Sequence, residues 1–194
     1  MQVGQTIKIL IYSKHEDDPN LCTAERLVRH GLAERIRRYI EIPECSVVLN
    51  PFANTYIKSS DRVYVQTCGI VAIDVSWKRG IDTLKKIRRG NQRALPILIA
   101  ANSINYGKPF KLSTAEALVA ALIITGFHEE ALEIASLFKW GQHFILLNRE
   151  RIEKYLQAQS DEELEQIQRT IFNINTSSNT RILDLLHKYL LEEP

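Results

Sequence analysis

Gly69-Ile70-Val71-Ala72-Ile73-Asp74-Val75-Ser76-Trp77 is the stretch that decides the fold. Its apolar run, rich in β-branched side chains, reads as a strand of a parallel sheet covered on both faces. Ligands of parallel sheets bind at the carboxyl ends of the strands. Asp74, Ser76 and Trp77 fall at that end, and a basic tract follows at once. An acid, a stacking ring and nearby positive charge point to chemistry on a nucleic acid.

Working outward, residues 7–12 read as a first strand, followed by a polar loop at 15–20. A helix is expected over 23–39, broken near Gly31, with Thr23 as its N-cap. Residues 45–49 and 70–75 read as further strands, with Ser59-Ser60-Asp61 opening a turn or short helix between them. Residues 81–89 read as helix, and 95–101 as either a strand or the start of a buried helix. Ser113-Thr114-Ala115-Glu116 is a capping box opening a helix to Thr125, stopped by Gly126. That helix is apolar on nearly every side and is expected to be central. Amphipathic helices follow over 129–138, 141–157, 161–173 and 181–191, with a polar linker at 173–179. The class is therefore α/β. A mostly parallel N-terminal α/β lobe (residues 1–95) is expected to precede an all-α C-terminal lobe (96–194), with a soft boundary near 92–102.

A chain of 194 residues with 45% apolar and 25% charged side chains suits a soluble globular protein of one domain or two small lobes. The net charge of +2 is unevenly spread, with a basic body up to residue 148 and an acidic helical tail beyond it. Cys22, Cys45 and Cys68 are too scattered for a disulfide framework or zinc site, so reduced thiols are expected. The histidines show no ligand spacing, so no metal is expected. Residues 6–12 are too short for a signal peptide and contain Lys8, and the longest apolar stretch, 117–127, is too short to cross a bilayer. A cytoplasmic protein without membrane contact is the expectation.

Each candidate segment has a plain alternative. Asp74 reads as a general base if its surroundings suit it, or as a cap or arginine partner. Trp77 stacks on a base or an adenine ring, or is a wedge packed between the lobes. Asp17-Asp18-Pro19-Asn20-Leu21-Cys22-Thr23 offers free N–H groups for an anion, or is an ordinary N-cap. Leu49-Asn50-Pro51-Phe52 suits a flat slot for an adenine, or is a simple loop. Lys78, Arg79, Lys85, Lys86, Arg88, Arg89 and Arg93 lie in a tract whose single acid is Asp82. With Arg26, Arg29, Arg35, Arg37 and Arg38 they read as an RNA- or DNA-binding surface, against the alternative of a solvated face. The loop from Ala100 to Leu112, dense in amides and aromatics, reads as a binding loop. No Gly-x-Gly-x-x-Gly or P-loop occurs, which argues against a Rossmann dinucleotide site or an NTPase.

Taken in order, these segments resemble one family, the small-subunit rRNA aminocarboxypropyltransferases. The matching series is Asp18-Pro19 with Cys22-Thr23, Leu49-Asn50-Pro51-Phe52, Ser60-Asp61 and Asp74-Val75-Ser76-Trp77. It continues through Arg93-Ala94-Leu95-Pro96, Ala100-Ala101-Asn102, Asn105-Tyr106-Gly107, Leu112-Ser113-Thr114-Ala115-Glu116-Ala117 and Phe138-Lys139-Trp140-Gly141. Two positions depart from the family pattern: Asn20-Leu21 stand where basic residues are usual, and Ala24 where glycine is common.

The resemblance implies a SPOUT-like fold with a C-terminal trefoil knot and S-adenosylmethionine as cofactor. It implies transfer of the 3-amino-3-carboxypropyl group to the ring nitrogen N3 of a (pseudo)uridine in small-subunit rRNA, releasing methylthioadenosine. Thr23, Leu49, Pro51, Ile73, Trp77, Leu95, Phe110 and Thr114 are the implied cofactor contacts, and Asp74 the base. Arg26, Arg29, Lys78, Arg79, Lys85, Lys86, Arg88, Arg89 and Arg93 are the expected RNA contacts, and a monomer is implied. Two alternatives stay open: a SPOUT-type RNA methyltransferase using the same cofactor, and a non-catalytic ribosome-assembly factor.

Overall fold

Five short strands form one all-parallel sheet: β1 (Ile9–Ser13), β2 (Glu34–Ile36), β3 (Val47–Leu49), β4 (Ile70–Asp74) and β5 (Asn91–Arg93), in the order β2-β1-β4-β3-β5. The computed structural model describes residues 7–13, 23–75, 81–176 and 180–192. Three short helices intervene, α1 (Thr23–Arg29), α2 (Arg62–Cys68) and α3 (Ile81–Lys86). The second half of the chain is helical: α4 (Thr114–Ile124), α5 (His128–Ser136), α6 (Gly141–Tyr155), α7 (Asp161–Phe172) and α8 (Ile182–Glu192).

The Ile70–Asp74 run becomes β4, at the middle of the sheet. Side chains alternate between the two faces of a strand. Ile70 and Ala72 accordingly join the large core shared with the C-terminal helices, with Ile9, Ile11, Val47 and Leu49. Val71 joins a smaller core on the other face with Leu10, Tyr12, Val48, Ile42 and Ile87. Both faces are covered, as a parallel sheet requires. The register sets Ser13 beside Asp74, while Leu49 pairs with both Ala72 and Arg93. One edge therefore gathers Ser13, Asp74, the Asn50-Pro51 exit and the Ala94-Leu95 exit.

α4 matches its expected form. The Ser113 hydroxyl accepts from Glu116 N–H at 3.3 Å and the Glu116 carboxylate accepts from Ser113 N–H at 2.7 Å. Ala115, Leu118, Val119, Ala120, Ala121 and Leu122 are all buried, so the helix is a central pillar.

Three expectations from sequence do not hold, and one strand is unannounced. The helix expected over 23–39 ends at Arg29, because Gly31 takes a left-handed conformation (φ +73). Leu32 N–H bonds Leu27 O and Gly31 N–H bonds Val28 O, a Schellman stop. The chain is then free to add β2 at the sheet edge. β5 is a strand that sequence does not announce, because Asn91-Gln92-Arg93 has no apolar alternation; its pairing with β3 makes it one. Residues 95–101 form neither a regular strand nor a helix, apart from the isolated bridge of Ile99 with Pro109.

The expectation of reduced thiols fails at two of the three cysteines. Cys45 and Cys68 are joined in a disulfide, with Cα atoms 5.6 Å apart. Each lies two residues before a member of the paired Val47 and Ile70, so strand pairing alone brings them side by side. Their separation of 23 residues hides this in the linear sequence. Closing a loop of that length is worth about 3 kcal/mol in the chain-entropy account. Cys45→Ser is expected to lower the midpoint of urea unfolding accordingly, and a reductant to do the same to the parent protein. An unchanged midpoint in both experiments would refute this. Cys22 lies outside the described residues.

Candidate functional site

A cleft of about 790 Å³, mouth included, opens where the carboxyl edge of the sheet meets α4. Leu49 at the end of β3 and Asn50 and Pro51 just after it line the cleft, with Ile73 on β4, Val75 just beyond it, and Leu95 and Pro96 from the segment after β5. Phe110, Leu112, Ser113 and Thr114 close it from the loop that enters α4, and Leu186 from α8. The lining is mainly aliphatic, with a few converging polar groups, as small-molecule sites usually are.

The rigidity of the walls follows from their hydrogen bonds. Buried Asn50 donates through Nδ2 to Leu84 O and to the Gln92 side chain, each at 2.9 Å, and accepts from Phe52 N–H at 3.0 Å. The turn carrying Pro51 is thus locked. His187 on α8 donates through Nε2 to Pro51 O at 2.9 Å, tying the last helix to that turn. Phe110 sits at φ +65, a left-handed conformation costing a non-glycine residue roughly 1–2 kcal/mol. Such strain concentrates at working sites.

The loop between residues 100 and 113 depends on Glu116, which is fully buried. One carboxylate oxygen accepts from Ala101 N–H at 2.7 Å and Asn102 N–H at 2.9 Å. The other accepts from the Asn102 amide and from Ser113 N–H, each at 2.7 Å. Before this loop, the extended segment is held by later helices. Gln168 accepts from Ile97 N–H, Tyr155 donates to Ile97 O, and Asn148 exchanges two hydrogen bonds with Ile99. Burial pushes the Tyr155 phenol well above its usual range, so it stays a proton donor. The same burial raises Tyr56, whose hydroxyl points to Glu165.

Asp74 lies at the cleft edge. It accepts from the Thr114 hydroxyl at 2.8 Å and from the Ser13 hydroxyl at 3.4 Å. Thr23, at the start of α1, accepts from Ala115 N–H at 3.4 Å, which sets it against the first turn of α4. Leu49, Pro51, Ile73, Leu95, Phe110 and Thr114 line the cleft together, and Thr23 stands beside it through Ala115. Trp77, Lys78 and Arg79 lie outside the described residues.

The remaining basic residues divide into two groups. Arg26, Arg29, Lys86 and Arg88 are exposed, with the Arg26 guanidinium over the Phe138 ring at 5.2 Å. Lys85 lies 5.7 Å over the Phe52 ring. Arg89 and Arg93 are held inward. Arg89 bonds Ile42 O and pairs with Glu44 at 2.9 Å. Arg93 lines the cleft and pairs with buried Asp61 at 3.0 Å. On β2 and beyond, Arg35 pairs with Glu25, while the Arg38 and Arg37 N–H groups hold the Glu41 carboxyl below its usual range.

Ser13, Leu186 and His187 carry no signal that sequence reasoning could single out. Ser13 is visible only once β1 is known to pair with β4, and α8 carries a plain amphipathic pattern that does not reveal what it covers. Among the described residues, no group of three or more His, Cys, Asp or Glu is placed to hold a metal, and no helix is long and apolar enough to cross a membrane.

Known proteins share this architecture and sequence. The family described as "Ribosome biogenesis protein, C-terminal" matches residues 47–172. The 16S rRNA aminocarboxypropyltransferase of Vulcanisaeta distributa is 45% identical over 150 residues, 76% of this chain and 81% of that protein. The enzyme of the same name from Methanopyrus kandleri is 45% identical over 163 residues, 82% and 95% of the two chains. That from Methanocaldococcus jannaschii is 40% identical over 161 residues, 83% and 94%. The solved structure of the SAM-dependent rRNA:acp-transferase Tsr3 from Vulcanisaeta distributa superimposes with a TM-score of 0.82 at 39% identity, covering 95% of this chain and 98% of that one. With relatives this similar over most of both chains, the chain belongs to the family of 16S rRNA aminocarboxypropyltransferases.

Proposed function

We propose that this protein transfers the 3-amino-3-carboxypropyl group of S-adenosylmethionine to the N3 ring nitrogen of a (pseudo)uridine in small-subunit rRNA, with methylthioadenosine as by-product. The observation that carries the reading is the cleft itself, an aliphatic slot whose lining residue Thr114 donates to the Asp74 carboxylate, in a chain related to 16S rRNA aminocarboxypropyltransferases.

The residues suit the cofactor. Leu49, Pro51, Ile73, Leu95 and Phe110 offer apolar walls for a flat nucleoside. Thr114 and Thr23, each at a helix start, offer polar contacts for the amino-acid end. When bound, S-adenosylmethionine supplies an electrophilic carbon beside its sulfonium. The protein's part is placement: rigid walls decide which of the three activated carbons faces the RNA. Asp74 takes the proton that the uracil ring nitrogen gives up. Ser13 and Thr114 aim its carboxylate by donating to its two oxygens. Trp77, next along the chain, belongs to the same cofactor pocket in this reading.

RNA is held by positive charge. Arg26, Arg29, Lys85, Lys86 and Arg88, with Lys78 and Arg79, form the proposed phosphate-binding set. Arg89 and Arg93 face intramolecular acids and serve it less directly. An Arg26→Ala/Arg29→Ala protein is expected to bind small-subunit rRNA more weakly. Its plot of log affinity against log salt should be shallower by about 1 for each phosphate no longer neutralised. An unchanged slope would remove both residues from the set.

The finer architecture is part of the same proposal: a two-lobe, SPOUT-like chain divided near residue 95, knotted in its C-terminal half, acting as a monomer in the cytoplasm. The knot reading draws on Ile97 and Ile99, whose backbone groups are hydrogen-bonded by side chains of α6 and α7. Incubation with small-subunit rRNA and two labelled cofactors tests the reaction. Label from the carboxyl carbon should enter the RNA. Label from the methyl alone would instead mean methylation, and no label a non-catalytic role.

A further inference from the structure

Ile104 and Tyr106 are 74% and 61% exposed on a loop that is otherwise tightly held. Gly107 N–H bonds Ala100 O at 2.8 Å, and Ala100 N–H bonds Lys108 O at 3.0 Å. The Asn102 side-chain oxygen accepts from Ile104 N–H at 3.2 Å and Asn105 N–H at 3.0 Å. Tyr106 itself is fixed. Its ring stacks on His143 at 5.8 Å between centroids and 11° between planes, with its hydroxyl 3.1 Å from Nε2. A large aromatic ring, ordered in advance and still mostly exposed, has the form of the stacking surfaces with which proteins hold unpaired bases.

The position of the ring fits the proposed reaction. Tyr106 is four residues from Phe110, which lines the cleft, so the two lie within roughly 14 Å of each other at full chain extension. A second path leads the same way. Arg26, one helical turn from Thr23, covers Phe138, which stacks on Trp140 at 4.8 Å, and α6 begins at the next residue and carries His143.

We infer that Tyr106, braced by His143, is a stacking platform for an unpaired base of the substrate RNA, close to the nucleotide being modified. This rests on the rRNA-transferase reading. It adds a contact that charge does not supply, because stacking selects single-stranded RNA whereas the basic residues attract any phosphate chain.

The test titrates full-length parent, Tyr106→Ala, Tyr106→Phe and the Arg26→Ala/Arg29→Ala protein with a small-subunit rRNA hairpin bearing an unpaired loop, across a salt series. S-adenosylmethionine affinity and melting temperature are measured alongside. Tyr106→Ala should bind the hairpin roughly ten-fold more weakly. Its salt slope should match the parent's, since every cation facing a phosphate is still in place. Cofactor affinity should be unchanged, and Tyr106→Phe, which keeps the ring, should bind like the parent. Parent-like RNA binding by Tyr106→Ala overturns the proposal, whether the exposed patch then serves a protein partner or nothing. A shallower slope, or Tyr106→Phe falling as far as Tyr106→Ala, overturns it too. A parent protein that fails to bind the hairpin overturns the rRNA reading itself.

Discussion

Asp74→Asn is expected to abolish most aminocarboxypropyl transfer while leaving cofactor and RNA binding intact. Asparagine is isosteric, and its side chain can still accept from Thr114 and meet the Ser13 hydroxyl by rotating that O–H. The cleft should therefore keep its shape and the melting temperature should move little. What disappears is a group able to take a proton at the ring nitrogen. General-base contributions of this kind are worth about 10²–10⁴ in rate. The measurement is single-turnover transfer of carboxyl-labelled cofactor to small-subunit rRNA, with cofactor affinity followed separately. Parent-like transfer rates would sink the assignment of Asp74 as base. Ser13→Ala and Thr114→Ala, which release the carboxylate without removing it, should lie between parent and Asp74→Asn.

Glu116→Gln should be almost as damaging as Glu116→Ala, although glutamine keeps the shape of glutamate. All four partners of this carboxylate are N–H donors: two backbone groups at Ala101 and Asn102, the Asn102 amide, and Ser113 N–H. An amide presents one oxygen and one NH2, so two donors must face another donor. Each buried group left unpaired costs about 1–3 kcal/mol. A loss of about 3–5 kcal/mol is expected, a large share of the roughly 5–15 kcal/mol typical of a domain. Urea unfolding reads the stability. Cofactor titration reads the companion effect, because the same bonds set the position of Phe110 and Ser113 in the cleft. A Glu116→Gln protein with the parent's unfolding midpoint would show that the network does not hold the loop.

The parts of the fold that are legible in sequence are those whose signal is local. The capping box at Ser113 and the all-apolar run behind it announce α4, and Ile70-Val71-Ala72-Ile73 announces a two-sided strand. The elements that escape owe their state to neighbours. Glu34–Ile36 and Asn91–Arg93 have no alternation of their own and become strands because β1 and β3 offer them open edges. Residues 95–101 resist any local rule, since the hydrogen bonds of Ile97 and Ile99 go to Asn148, Tyr155 and Gln168 on helices far along the chain. The site divides similarly. Asp74 can be placed by its strand, and the family resemblance points to Leu49, Pro51, Ile73, Leu95, Phe110 and Thr114, which line one cleft. Ser13 and Leu186 need the register of β1 and the packing of α8, which only the three-dimensional structure supplies.

That same packing orders events in time as the protein is made. The cleft floor is laid down by the first strands, but the segment that carries Leu95 and Pro96 is tied at Ile97 to α6 and α7, and Leu186 adds an apolar side chain from α8. A chain emerging from the ribosome carries its sheet and most of its basic residues before those helices exist. Contacts so distant in sequence form late and slowly. The nascent chain therefore has no complete cleft until α8 has been made and has packed against the sheet edge.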